Sequence, residues 1–387
     1  MVFSKRPPAL LCALTGIAMF SGCGQRACAT DYYVSTTGND NSGTGSKAHP
    51  WATIAHASSY AKPGTTVYVA AGIYTGSFDT YASGTSSAYI IYQAATSNFS
   101  APVNCAQIAA DHENLDQCAR LIGTYSDTWD NYGDYVSIQG FDISGPGING
   151  IYTQGNATAI IGNHVHNVLP STCNSEGGSG INLNGTNAEV IANYVHNIGP
   201  FPSACNWVQG IYFLQAGGYA QNNISFANSG FGIQLWHWPS QIALVNNTIF
   251  NNASGGIVLG TDYSDFTVDY IEVRNNIVAS NGGIGIQEQG ESQSSTGIHN
   301  VYTNNLVEGN SQGAFSLQNG LSPASSVLSN PDFVRYTGSS KGNYHLQSSS
   351  PAIGNGSSNE APSTDFDGNA RPQSGRYDIG AYQFMNP

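Results

Sequence analysis

Between residues 136 and 320 the chain returns six times to one short phrase, an asparagine turn followed by an apolar run: "GNHVHN", "ANYVHN", "QNNISF", "VNNTIF", "RNNIVA" and "TNNLVE". The aligned asparagines are Asn163, Asn193, Asn223, Asn247, Asn276 and Asn305, separated by 30, 30, 24, 29 and 29 residues. A second marker keeps the same beat, Gly-Ile ending at Ile151, Ile181, Ile211, Ile233, Ile257 and Ile286, then Gly-Ala at Ala314. Within each unit, short apolar runs are separated by polar turns, with no helical period. A unit this small cannot bury its own apolar face, so the units must stack into one continuous core. Three short strands per unit predict an all-β, single-stranded solenoid, a right-handed parallel β-helix whose hand follows from crossover chirality. An asparagine stacked at one corner satisfies turn amides that the core would leave unpaired, so these six residues carry structure and no chemistry.

Composition agrees. Only 9% of residues are charged and 46 are glycine, as closely stacked strands with tight turns require. A formal charge of −13 argues against nucleic-acid binding, which needs a basic footprint. Residues 1–29 read as an export signal: Lys5 and Arg6 precede an apolar run, Ala9 to Phe20, too short to span a bilayer. "FSGC" resembles a lipobox and makes Cys23 a lipidation site, which predicts a cell-surface or periplasmic lipoprotein attached to a membrane. "ACA", ending at Ala29, offers ordinary secretion instead. Beyond the signal, Cys105, Cys118, Cys173 and Cys205 make an even set in an exported chain. Of the three possible pairings, Cys105–Cys118 with Cys173–Cys205 is preferred.

The remaining chain divides into an N-terminal cap with the first turns (30–135), the repeats (136–320) and a C-terminal β segment (321–387). In the cap, Pro50 to Lys62 has helix-like apolar spacing, and a helix there would cover the open end of the solenoid. "TTVYVAAGIY" after it reads as a strand. A monomer is expected.

At this point the chain resembles the secreted bacterial β-helix proteins of the pectate-lyase-like superfamily. "DYYVSTTGND" with "HPWATI" is similar to the common entry to such proteins. "SPAIGNGSS" and "DFDGNARPQSGRYDIGAYQF" resemble the C-terminal segment of members with a choice-of-anchor module. The resemblance covers most of the mature chain and implies the fold. It does not select a reaction, since the superfamily includes lyases, hydrolases, epimerases and non-catalytic surface proteins.

Alternation along each marker strand points the isoleucine inward and the next residue outward. The outward column is Tyr152, Asn182, Tyr212, Gln234, Val258 and Gln287. A second column, two residues on, is Gln154, Asn184, Leu214, Trp236, Gly260 and Gln289. Rungs about 4.8 Å apart approach the repeat of a sugar chain. Tyr152, Asn182, Tyr212, Gln234, Gln287 and the tryptophans of "GIQLWHWPSQ", Trp236 and Trp238, are therefore expected to contact a polysaccharide. Long flanking loops, some holding Cys173 and Cys205, would wall this face.

Asp262 and Glu291 each stand five residues after a marker isoleucine, on consecutive rungs. Two carboxyls about 5 Å apart suit a retaining glycosidase, and their repulsion would keep one protonated. Asp265 and Glu288 widen the choice. Strict alternation puts Glu288 inside, where it needs a partner or marks a register break. His237 adds a candidate acid or base. His164, His166 and His196 lie on another strand and read as structural, so no metal site is expected from them. Asp127, Asp130 and Asp134 form a loose calcium-like group without EF-hand spacing, which leaves calcium open and no cofactor required. Superfamily lyases commonly use Lys or Arg, often with calcium. No lysine occurs between Lys62 and Lys341, and Arg274 is the only arginine among the repeats, so the usual lyase residues cannot be carried over to matching positions. The expected function is hydrolysis of a neutral or weakly charged polysaccharide. The alternatives are a polysaccharide lyase and a non-catalytic glycan-binding β-helix.

Overall fold

The structure is a computed structural model that describes residues 30–124, 126–168, 173–290, 295–372 and 376–385. Glu291, Cys23 and the whole expected export signal, residues 1–29, lie outside the described residues. Three parallel sheets wind around one core as a right-handed β-helix. The long sheet has ten strands, from Asp31–Val34 to Val301–Thr303. The groove sheet has nine, from Phe78–Thr80 to Phe315–Ser316. The histidine sheet has nine, from Gly72–Thr75 to Leu306–Glu308.

The marker isoleucines pair in register from Ile151 to Ile286 and are fully buried. The column runs back through Trp129 and Phe78, so the rungs begin well before residue 136. Its last member is Phe315, which pairs with Ile286. That corrects the alignment at Ala314 by one residue. A phenyl ring fills the end of the core better than a methyl group would.

The asparagine corner forms as expected. Each Oδ1 accepts the backbone N–H of the preceding rung's asparagine at 2.9 Å, from Asn163 on Asn193 to Asn276 on Asn305. A second ladder, Asn228, Asn252, Asn281 and Asn310, closes the corner between the histidine and groove sheets.

The helix Ile54–Tyr60, capped by the Thr53 side chain, turns Ile54 and Ala57 onto the first rungs. "TTVYVAAGIY" splits at Ala71 into strands of two different sheets. Both preferred disulfides are present, with Cα separations of 5.9 Å for Cys105–Cys118 and 5.7 Å for Cys173–Cys205. The C-terminal segment adds no rung sheet of its own. Its described strands are one antiparallel pair, Phe333–Arg335 with Asn343–Leu346. It runs as a strap along the helix, packing Phe333, Tyr344, Phe366 and Tyr382 against Tyr194, Phe226 and Phe250.

Candidate functional site

Register fixes the floor of the groove. The outward column reads Asp79, Asp130, Tyr152, Asn182, Tyr212, Gln234, Val258, Gln287 and Ser316. At about 4.8 Å per rung these nine positions extend roughly 38 Å. The sequence-derived members fall in their expected order, and Asp79 and Asp130 are the additions that matter. Trp129 in the isoleucine slot was the signal for them, hidden because the residue is not isoleucine. No strand of the groove sheet carries Lys or Arg.

Near one end, Tyr81 and Tyr132 stack at 4.8 Å with planes 6° apart, both exposed. They stand two residues beyond Asp79 and Asp130, which pair on adjacent rungs. Burial pushes the Asp130 carboxyl up, and Asp79 adds to the shift against hydrogen bonds from Tyr132 and Gln154. Asp127 is likewise raised by burial, although Asn149 Nδ2 donates to its Oδ1 at 2.7 Å. Asp134 instead accepts from the Asn156 backbone at 2.7 Å, a turn contact. The expected group of three therefore separates into two groove acids and one turn acid.

Farther along, the strand Phe231–Leu235 ends in Trp236, His237 and Trp238. His237 takes φ +79°, a left-handed conformation uncommon outside glycine. Its Nδ1 donates to Asp262 Oδ1 at 3.0 Å. Trp238 stacks on Tyr263 at 4.4 Å and 15°, and is partly exposed. Trp236 lies over the next rung at Gly260. A Cβ there would come within 2.4 Å of the indole, so the glycine makes room for it. The Tyr212 ring lies 6.1 Å from His237, and burial followed by the Asp262 charge holds its hydroxyl well above the usual tyrosine range.

Asp262 thus meets a histidine, and Asp265 is exposed in the adjoining loop. Glu288 points inward, as strict alternation requires, and the strand keeps its register there. It accepts from Tyr302 Oη at 2.7 Å, Asn300 Nδ2 at 2.9 Å and the Gln318 backbone at 2.6 Å. Three donors hold this carboxyl in place, and with Trp236 and Gln318 it lines a hollow in the groove.

Three groove-sheet acceptors, Asp130 Oδ1, Asn182 Oδ1 and Gln234 Oε1, are buried without a hydrogen-bond partner in the protein. Such atoms are rare in folded proteins and mark places where a donor is wanted.

The sequence model for the right handed β-helix region matches residues 128–370, more than half of the chain. The chain belongs to this right-handed β-helix family. A second model, of a family of unknown function (DUF1565), matches residues 36–80 of the β-helix, the entry and its capping helix. No curated protein matches its sequence. Among solved structures, this β-helix is similar to pectate lyase Pel9A, with 18% identity and a TM-score of 0.59 over 92% of this chain and 96% of that one. A rhamnogalacturonan lyase gives 16% identity and a TM-score of 0.47, over 80% of this chain and 91% of that one. XylC in complex with xylose gives 12% and 0.49, over 92% and 98%. The likeness to Pel9A speaks for the β-helix fold.

Proposed function

We propose that the chain is an exported carbohydrate-active enzyme that lays a neutral or weakly charged polysaccharide along the groove sheet and hydrolyses its glycosidic bonds. The observation that carries this reading is the groove floor. Asp79, Asp130, Tyr152, Asn182 and Tyr212 of the outward column are at least partly exposed and can hydrogen-bond sugar hydroxyls, and stacked rings at Tyr81–Tyr132 and Trp238–Tyr263 offer flat faces for sugar rings. The pectate lyase that shares the fold also acts on a polysaccharide. Two disulfides and the N-terminal signal fit an oxidising compartment, with Cys23 as the lipidation site.

For the chemistry we assign Asp130 as general acid and Asp79 as its partner. Desolvation and then the Asp79 carboxylate push the Asp130 carboxyl upward, the direction an acid catalyst needs. Carboxyls one rung apart suit the double displacement of a retaining enzyme. The sequence-derived pair, Asp262 with Glu291, is the competing assignment.

A second reading rests on the His237–Asp262 hydrogen bond. A carboxylate-oriented imidazole can remove a proton, and the protonated Tyr212 hydroxyl nearby can supply one to a leaving group. That pairing would serve elimination.

Incubation with a polysaccharide panel, followed by both reducing ends and ultraviolet absorbance, separates the readings. Hydrolysis gives reducing ends alone, whereas elimination also gives an unsaturated chromophore. Asp130→Asn should lower kcat on the best substrate by about 10²–10⁴-fold with the fold intact. Full activity in Asp130→Asn together with loss in Asp262→Asn and Glu291→Gln would move the reaction to the other pair. Cleavage of no polysaccharide, with binding retained, would leave a glycan-binding protein.

A further inference from the structure

The histidine sheet, outside the groove, carries a cluster the proposed reaction does not use. Asp142 pairs with His164 on the next rung, and His166 pairs with His196 on the rung after that. Asp142, His164 and His196 are all at most 5% exposed. Asp142 Oδ1 accepts from His164 Nδ1 at 2.6 Å and from His166 Nε2 at 3.0 Å, and Oδ2 accepts from Arg120 Nε at 3.2 Å. Asn197 Oδ1 lies 2.7 Å from His196 Nδ1.

These contacts fix the tautomers. A carboxylate only accepts, so His164 Nδ1 carries its hydrogen, and the amide oxygen of Asn197 asks the same of His196 Nδ1. Each neutral ring then presents a lone pair at Nε2. The two Nε2 atoms face each other at 2.9 Å. Two lone pairs at that distance repel unless an electrophile shares them.

We propose that His164 Nε2 and His196 Nε2 are ligands of a divalent transition-metal ion, with copper favoured over nickel and zinc. Nitrogens about 2.0 Å from a metal and at right angles to each other lie about 2.9 Å apart, the arrangement of neighbouring ligands in tetragonal copper or nickel sites. Asp142 acts behind His164 as the carboxylate that orients and strengthens a metal-bound imidazole. His166, stacked on His164 at 4.0 Å, spends its Nε2 hydrogen on Asp142 and is not a ligand. A hollow of about 410 Å³, with His112, Glu113, Asn167 and Lys341 among its lining residues, opens onto the two rings and leaves room for water in the remaining coordination positions. Sequence reasoning assigned these histidines no ligand role because it lacked Asp142, whose place opposite His164 only the register supplies.

The test is titration of the tag-free, chelator-stripped mature chain with copper(II) chloride, read by calorimetry and by electron paramagnetic resonance. One ion per chain and coupling to two imidazole nitrogens are expected. His164→Gln and His196→Gln should each abolish stoichiometric binding, Asp142→Asn should weaken it about 10–100-fold, and His166→Gln should keep it. Circular dichroism checks the fold of each variant. If the ligand variants do not fold, the wild-type resonance spectrum decides alone. No binding, coupling to fewer than two nitrogens, or binding that survives His164→Gln/His196→Gln would overturn the site and leave a shared proton between the two rings. Polysaccharide cleavage by folded variants should be unchanged, so this outcome is independent of the groove assignment.

Discussion

His164 and His196 sit where a charged imidazole loses its water, and burial pushes His164 down to about 4 despite the opposing hydrogen bond to Asp142. His196 is lowered well below its usual value, again chiefly by burial. Burial alone would raise Asp142, but hydrogen bonds from His164 and His166 outweigh it and hold that carboxyl well below the usual range. All three shifts have one sign in their effect on stability. In the unfolded chain a histidine takes its proton near 6.5 and an aspartate near 3.9, before the folded groups do. Stability should be complete above about pH 6.5, decline as pH falls toward 4, and fall further below it. Melting temperatures from pH 7.5 to 3.5 in the presence of chelator measure this, and His164→Asn should flatten the profile. A flat wild-type profile would contradict the burial argument. At the same scale, alternation correctly turned Glu288 inward, but its three donors come from residues 300, 302 and 318, which no local count could supply. Trp238, like Asp262, stands five residues after a marker isoleucine. The left-handed turn at His237 brings the imidazole to Asp262 and sends Trp238 to Tyr263.

Asn223 shows what a single ladder rung holds. Its Oδ1 accepts from the Asn193 backbone and side chain, and its Nδ2 donates to Val190 O and Asn247 Oδ1, all at 2.8–2.9 Å and fully buried. Asn223→Ala strands several buried polar groups, each costing about 1–3 kcal/mol. The loss should be about 3–5 kcal/mol in urea unfolding, against a negligible change for the exposed Asn359→Ala. Equal midpoints for the two variants would mean that water replaces the ladder. The first ladder was legible because its asparagines open every apolar phrase. The second was not, because Asn252 follows Asn251 and the turn sequences around Asn228, Asn281 and Asn310 differ. A further row, Asn222, Asn246, Asn275 and Asn304, takes φ between +54° and +57°. Its amides donate to carbonyls of the C-terminal strap at Thr364, Asp378, Ser357 and Asn355. Doubled asparagines in "NN" therefore serve two purposes, one inside the corner and one outside it.

On the scale of the molecule, the strap is tied down by Arg371, only 1% exposed. Its guanidinium donates to Asn222 Oδ1 at 3.0 Å, Gly380 O at 2.9 Å and Ala381 O at 3.0 Å. Burial lowers its pKa to about 10, which leaves it charged at neutral pH beside Asp365 and Asp378. Arg371→Met strands the Asn222, Gly380 and Ala381 oxygens it serves, at about 1–3 kcal/mol for each buried group left unpaired. Limited proteolysis should then cut the strap early while circular dichroism of the rungs persists, and an unchanged digestion pattern would show that apolar packing alone holds it. The sequence by itself determined the winding, the core column, the first asparagine corner and the order of groove residues from Tyr152 to Gln287. Each of these repeats, and a period can be counted. The tertiary structure decided the rest: Asp79 joined to Asp130, His237 turned onto Asp262, Asp142 set against two histidines, and the strap laid along an asparagine row. Those contacts join residues of different rungs, or of rung and strap, whose meeting depends on register and turn conformation rather than on any interval along the chain.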